Sequence, residues 1–442
     1  MINKRSIYST RCWLNGKLQP ATISFDEGVI TSIRAGKTPG AEDFGDNVIM
    51  PGVIDAHVHV NEPGRTDWEG FDTATQAAAA GGTTTIVDMP LNASPVTTTL
   101  AAFNKKQEAS EGKLHVNVGF YGGLVPGNQQ HLEELIHAGV LGIKCFLTHS
   151  GIDEFTNVGE AELEAAMPLL AKYKLPLLAH CELKGDCQTK LDAFPTSYKE
   201  YLASRPKAWE NEAVELMIKL CRKHHCPTHI VHVSSAEVLP LVQQARAEGL
   251  PLTAETCAHY IYFNAEDIPD AECVYKCAPP IREKANNDRL RAALKNSLLD
   301  FITTDHSPAP PAIKELESGN LLKAWGGIAG LQFLLPAAWT AMKHALSLEE
   351  FIPLLTEHPA RFLKAEEVKG KLAEGYDADI CIWNPEEAFV VRAEDILHKH
   401  DCSPYTGKQL SGTTRETIVQ GITVYQNKKI IHKNAGKWLL RK

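Results

Sequence analysis

Four histidines, one lysine and one aspartate stand at or near the ends of apolar runs in this chain. In Pro51-Gly-Val-Ile-Asp-Ala-His-Val-His-Val60, His57 and His59 sit two apart, with Asp55 in the same register. In an extended strand such side chains share one face. Neutral imidazoles on one face are good ligands for zinc-like ions. Leu175-Pro-Leu-Leu-Ala-His180 ends in His180, and Thr228-His-Ile-Val-His-Val-Ser234 carries His232 near its end. Phe301-Ile-Thr-Thr-Asp305 ends in a carboxylate that also suits the turn Asp305-His306-Ser307-Pro308. Singly, each reads as a core histidine, a helix cap or a turn residue. Jointly, at matching ends of separate strands, they read as ligands of a metal pair.

Lys144 lies inside the apolar run Leu141-Gly-Ile-Lys-Cys-Phe-Leu147. A buried ammonium is costly unless paired or neutralised. A lowered pKa would make it a Schiff-base nucleophile. Addition of CO2 to the neutral amine would make it an anionic carbamate whose two oxygens can bridge two cations. A lysine reaching out to solvent from a strand end is the bland reading. Four neighbouring histidines favour the carbamate.

These residues need a scaffold that brings distant segments together. From 51 to about 365, strand-like and helix-like stretches alternate, the pattern of a parallel α/β fold. Strands are expected over 54–60, 84–88, 115–120, 141–147, 176–180, 229–233, 252–256 and 301–305. Helices are expected over 130–138, 160–173, 211–224 and 236–248, where apolar residues recur three and four apart. Another helix is expected to enter through the cap-like Asn286-Asn287-Asp288. Eight such units make a (β/α)8 TIM-type barrel, whose chemistry sits at the carboxyl ends of the strands. Residues 1–50 and 366–442 alternate in the β manner instead, with Asn15-Gly16 and Glu27-Gly28 as tight turns. The expected architecture is a catalytic barrel over 51–365 and one small β-sandwich domain formed by both chain termini.

A net charge of −9 argues against a nucleic-acid partner, for which a basic patch is expected. No apolar run reaches the length of a membrane span. Eleven scattered cysteines without a C-x-x-C pair read as reduced thiols of a cytoplasmic protein.

Over essentially the whole chain the motifs resemble the cyclic-amidohydrolase branch of the amidohydrolase superfamily, which includes dihydroorotases, hydantoinases and allantoinases. The resemblance rests on Gly52-Val-Ile-Asp-Ala-His-Val-His59, Ala80-Gly-Gly-Thr-Thr-Thr-Ile-Val-Asp-Met-Pro90, Thr253-Ala-Glu-Thr-Cys-Ala-His259, Lys276-Cys-Ala-Pro-Pro-Ile-Arg282 and Thr304-Asp-His-Ser-Pro308. It implies one divalent ion on His57, His59, Lys144 and Asp305, and a second on Lys144, His180 and His232. Lys144 would be N6-carboxylated. Zinc suits these ligands, and manganese, cobalt, nickel or iron also fit them. The resemblance further implies a homo-oligomer, commonly a tetramer.

Within that branch, His59-Val-Asn-Glu-Pro-Gly-Arg-Thr-Asp-Trp-Glu-Gly-Phe71, Met89-Pro-Leu-Asn92 and Trp325-Gly-Gly-Ile-Ala-Gly-Leu-Gln332 are similar to the allantoinases. That implies hydrolysis of allantoin to allantoate in purine catabolism. Dihydroorotases carry a carboxylate-binding arginine two residues after the second histidine. Asn61 stands there in this chain. An amide suits a neutral ring with a ureido arm. Asn61 and Asn92 are therefore candidate substrate contacts, with a loop-holding role as the alternative. Ala309 departs from the branch, which often has cysteine after the Asp-His-Ser-Pro turn. In the implied reaction a metal pair activates water and polarises the ring carbonyl. Asp305 passes the proton to the leaving nitrogen. Rival readings are a hydantoinase or dihydropyrimidinase, a Schiff-base aldolase using Lys144, and a scaffold without catalysis. Glu154, Phe155 and the segment 186–209 are lid candidates by position.

Overall fold

The structure, a computed structural model, describes residues 4–185 and 191–442. Alternation in the first fifty residues produces β1 (Arg5–Leu14), β2 (Lys17–Asp26) and β3 (Val29–Ala35), paired antiparallel in order. The β1–β2 turn uses Asn15 and Gly16 at φ 51° and 80°. That left-handed pair matches the twist of a tight hairpin. β4 (Val48–Pro51) runs parallel beside β1 and joins the two ends of the chain.

The barrel follows at once. Its strands are β5 (Val53–Val58), β6 (Thr83–Asp88), β7 (Asn117–Phe120), β8 (Ile143–Phe146), β9 (Leu177–His180), β10 (Thr228–Ile230), β11 (Leu252–Cys257) and β12 (Phe301–Thr303). Neighbouring strands pair in parallel from β5 to β7 and from β8 to β12. Nearly every strand residue is buried, as expected for a sheet covered on both faces. The ring closes at one seam through the Val58–His306 bridge, with His59 N donating to His306 O at 2.7 Å. At the other seam Leu141 N donates to Phe120 O at 2.9 Å, and Gly122–Gly123 pairs with Ile143 and Lys144.

Each unit carries a helix: α1 (Phe71–Ala80), α2 (Leu100–Ser110), α3 (Leu132–His137), α4 (Glu160–Tyr173), α5 (Lys207–His224), α6 (Leu239–Ala247), α7 (Lys284–Lys295) and α8 (Leu334–Met342). The α7 start differs from expectation. Glu283 is the N-cap, and Asn286 and Asn287 are buried inside the first turn. Their amides donate outward, to Ser234 O at 2.7 Å and to Phe263 O at 2.6 Å. They fasten loops instead of capping the helix.

The chain then returns to the terminal domain as β13 (Ile380–Val390), β14 (Gln409–Val419), β15 (Ile422–Gln426) and β16 (Lys429–Ile430). β13 pairs antiparallel with β4, so one sheet in the order β16-β15-β14-β13-β4-β1-β2-β3 is built from both ends. Its core holds Ile7, Ile23, Phe25, Ile49, Ile380 and Ile418. This is the β-sandwich beside the TIM barrel. The tail leaves it again. β17 (Trp438–Leu439) pairs parallel with β7, and Arg441 N donates to Gly139 O at 2.9 Å. The tail thereby fills part of the seam next to the Lys144 strand.

Candidate metal centre

The carboxyl ends of the barrel strands open on a cavity of about 300 Å³. His57, His59, Lys144, His180, His232 and Asp305 all line it. β5 carries His57, and His59 stands one residue beyond its end. β8 carries Lys144, and β9 ends on His180. The strands expected through 233 and 305 stop earlier, at Ile230 and Thr303. His232 and Asp305 follow at left-handed φ of 40° and 46°. Asn61 and Asn92 share that conformation, each at 66°. Such backbone costs a non-glycine residue roughly 1–3 kcal/mol and clusters at functional sites.

Asp305 Oδ1 stands 3.1 Å from His57 Nε2 and 3.2 Å from His59 Nε2. The ligand atoms of these three residues all lie within 4.8 Å of one another, a grouping that can hold a metal ion. Burial works against the Asp305 charge, but the facing imidazoles hold its carboxyl well below the usual range. Burial pushes His59 down to about 4, so that ring is neutral and free to ligate.

Across the cavity the His180 and His232 rings lie 4.6 Å apart, and Phe146 stacks on His180 at 4.4 Å. Burial lowers both of these histidines too. His180 Nε2 meets Glu182 Oε2 at 2.8 Å, and Arg205 Nε donates to Glu182 Oε1 at 3.0 Å. Lys144 is fully buried, and burial pushes its ammonium down to about 8.

The His57, His59 and Asp305 donors fit a divalent ion. Lys144 Nζ and His57 Nε2 are buried polar atoms without hydrogen-bond partners, although the His57 atom lies close to Asp305. Unpaired buried groups call for an explanation, and a bound ion at this cluster is one. Imidazole nitrogens and a carboxylate are the donors such ions take.

Of the two asparagines, Asn92 lines the cavity, with Nδ2 at 3.4 Å from His59 Nδ1 and Oδ1 unsatisfied. Asn61 is buried, and its Nδ2 donates to Pro308 O at 3.4 Å. Asp55 is turned to the strand ends, accepting from His57 N and Thr304 N. Glu154 pairs with Arg65 at 2.9 Å across two mouth loops, while Phe155 is fully buried against Phe146. Residues 186–190 of the expected lid lie outside the described residues.

Sequence reasoning missed several groups. Tyr201, Arg205, Lys276 and Trp325 line the wall. Glu182 and Glu255 stand behind histidines. Both acids had a signal: Glu182 follows His180 at the same-face spacing of two, and Glu255 is a charge within strand β11. At Ala309, where the branch often has a thiol, Cys402 approaches from another segment, its Sγ 3.9 Å from the Ala309 carbonyl. Every described cysteine is free, and no described helix is long and apolar enough to cross a membrane.

A TIM barrel with a two-ended β-sandwich and a histidine–carboxylate cluster at its mouth defines a metal-dependent hydrolase of the amidohydrolase class. The family model described as "Amidohydrolase family" matches residues 48–424. The chain is 42% identical to a "Probable allantoinase" of Oryza sativa subsp. japonica, covering 99% of this chain and 90% of that protein. It is 38% identical to an "Allantoinase" of Saccharomyces cerevisiae, covering 98% of each. Among solved structures, the L-hydantoinase (dihydropyrimidinase) from Arthrobacter aurescens superposes with a TM-score of 0.92 at 30% identity, covering 98% of this chain and 99% of that one. The chain belongs to the amidohydrolase family, in its allantoinase branch.

Proposed function

We propose that the protein hydrolyses allantoin to allantoate, opening one ring amide as a step of purine (ureide) catabolism. The observation that carries this reading is the convergence of His57, His59, Lys144, His180, His232 and Asp305 on one small cavity. It is supported by likeness to allantoinases over nearly the whole chain. At about 300 Å³ the cavity is at the small end of ligand pockets, which suits a five-membered ring with a short arm.

His57, His59, Lys144 and Asp305 would hold one divalent ion, and Lys144, His180 and His232 the second, with Lys144 as N6-carboxylysine. When bound, two such ions, zinc by ligand type, supply an activated water and a Lewis acid for the ring carbonyl. Asp305 takes the proton of the attacking water and delivers it to the leaving ring nitrogen. The Asn92 amide, with an unsatisfied Oδ1 on the cavity wall, accepts a hydrogen bond from a ring N–H. Asn61, which does not line the cavity, braces the loop after Asp305. The buried Glu182, held by the partly exposed Arg205, keeps His180 oriented.

The catalytic domain is the barrel over 51–365, and 1–50 with 366–442 form the sandwich, its last residues returned to the barrel wall. Free cysteines support a reducing, cytoplasmic setting. The family resemblance supports a homotetramer.

A second reading, a hydantoinase or dihydropyrimidinase, is favoured by the hydantoinase superposition. Steady-state turnover of allantoin, hydantoin, dihydrouracil and dihydroorotate by the metal-reconstituted enzyme decides. Allantoin is expected to have the highest kcat/KM, and preference for another ring would sink the assignment.

A further inference from the structure

His57 is gripped from behind as well as from the cavity. Its Nδ1 stands 2.6 Å from Glu255 Oε1. The other carboxylate oxygen, Oε2, stands 3.1 Å from His229 Nε2. His229 Nδ1 meets Thr253 Oγ1 at 2.8 Å. Glu255 and His57 are each 1% exposed, and His229 is fully buried. The His229 ring is clamped by Phe301 at 5.3 Å and Phe362 at 4.3 Å.

The hydrogen-bond directions follow from the groups. An ionised carboxylate only accepts, so both imidazoles donate to Glu255. His57 therefore carries a proton on Nδ1, which leaves Nε2, the atom that faces Asp305 and the cavity, as the nitrogen open to a cation. His229, donating at Nε2, accepts at Nδ1 from the Thr253 hydroxyl. A chain running from Thr253 to His57 thus sets one tautomer and one ring angle at the site.

We infer that Glu255 is a positioning residue of the metal centre. It locks His57 as an Nε2 ligand, while His229 and Thr253 hold Glu255 in place. Carboxylates behind ligating histidines have this effect generally. The inference rests on the reading of His57 as a metal ligand under the proposed function. A purely structural Glu255 would fill the barrel interior without touching metal affinity.

The test is titration of the full-length metal-free protein with Zn2+ against a chromophoric chelator. Each variant is measured well below its own Tm. His57→Ala identifies the binding phase that depends on His57. Glu255→Gln is expected to weaken that phase about 10–100-fold. Glu255→Asp, which keeps the charge, recovers part of the loss. His229→Phe keeps the stacking but removes the hydrogen bond, and is expected to weaken the same phase several-fold, including where Glu255→Gln does not fold. Wild-type affinity in both Glu255→Gln and His229→Phe overturns the inference alone, even if their Tm falls. A wild-type chain that takes up no ion overturns the site reading and this inference with it.

Discussion

The two halves of the cavity differ in how they handle charge. On one side Asp305 stands between His57 and His59, and the three ligand atoms are already gathered within 4.8 Å. On the other, His180 and His232 face Lys144, whose amine has no hydrogen-bond partner. One acid on that side, Glu182, is spent on Arg205 and on His180 itself. The first half brings its own anion. The second half, two histidines lowered by burial and a buried amine, brings none of its own. Burial eases that ammonium toward neutrality, the form that the proposed carbamate needs.

The largest break in this comparison is Lys144→Ala. Under the proposed function Lys144 is a ligand shared by both halves, so turnover is expected to fall below detection, and bound metal to drop from two ions to one or none by elemental analysis. Short carboxylic acids should restore part of the activity by standing in for the carbamate. Next is Asp305→Asn, which removes the first half's anion and the proton carrier together. kcat is expected to fall about 10²–10⁴-fold in steady-state assays, with the ion on His180 and His232 retained.

Glu182→Gln probes the second half. It leaves the partly exposed Arg205 guanidinium without its carboxylate, and a loss of about 2 kcal/mol is expected in chemical denaturation. The same variant should weaken the His180 ion more than the His57 ion. Asn92→Ala sharpens the border of the first half. One neutral hydrogen bond is lost, so KM is expected to rise about five- to tenfold with little change in kcat.

Much of this was legible in the residues. Apolar runs ending in histidine or aspartate marked the barrel mouth, because a parallel sheet buries both faces of each strand and leaves its polar chemistry at the ends. What stayed hidden was set by tertiary contacts. Nothing in Thr228-His-Ile-Val-His232 announces that the strand stops at Ile230 and that His232 takes a left-handed φ. Asn286 and Asn287 read as helix caps, but distant carbonyls claimed their amides. The tail Trp438–Leu439 looked like part of the sandwich, yet its backbone is paired with β7 across the barrel. Glu255 sat within a quoted motif, and only the fold shows that it faces His57.

The most direct test of the central claim is 13C NMR of the metal-loaded enzyme in 13C-bicarbonate. The account predicts a lysine carbamate resonance that rises with the second bound ion and is absent from Lys144→Ala. A fully active enzyme holding two ions with no carbamate signal would contradict it.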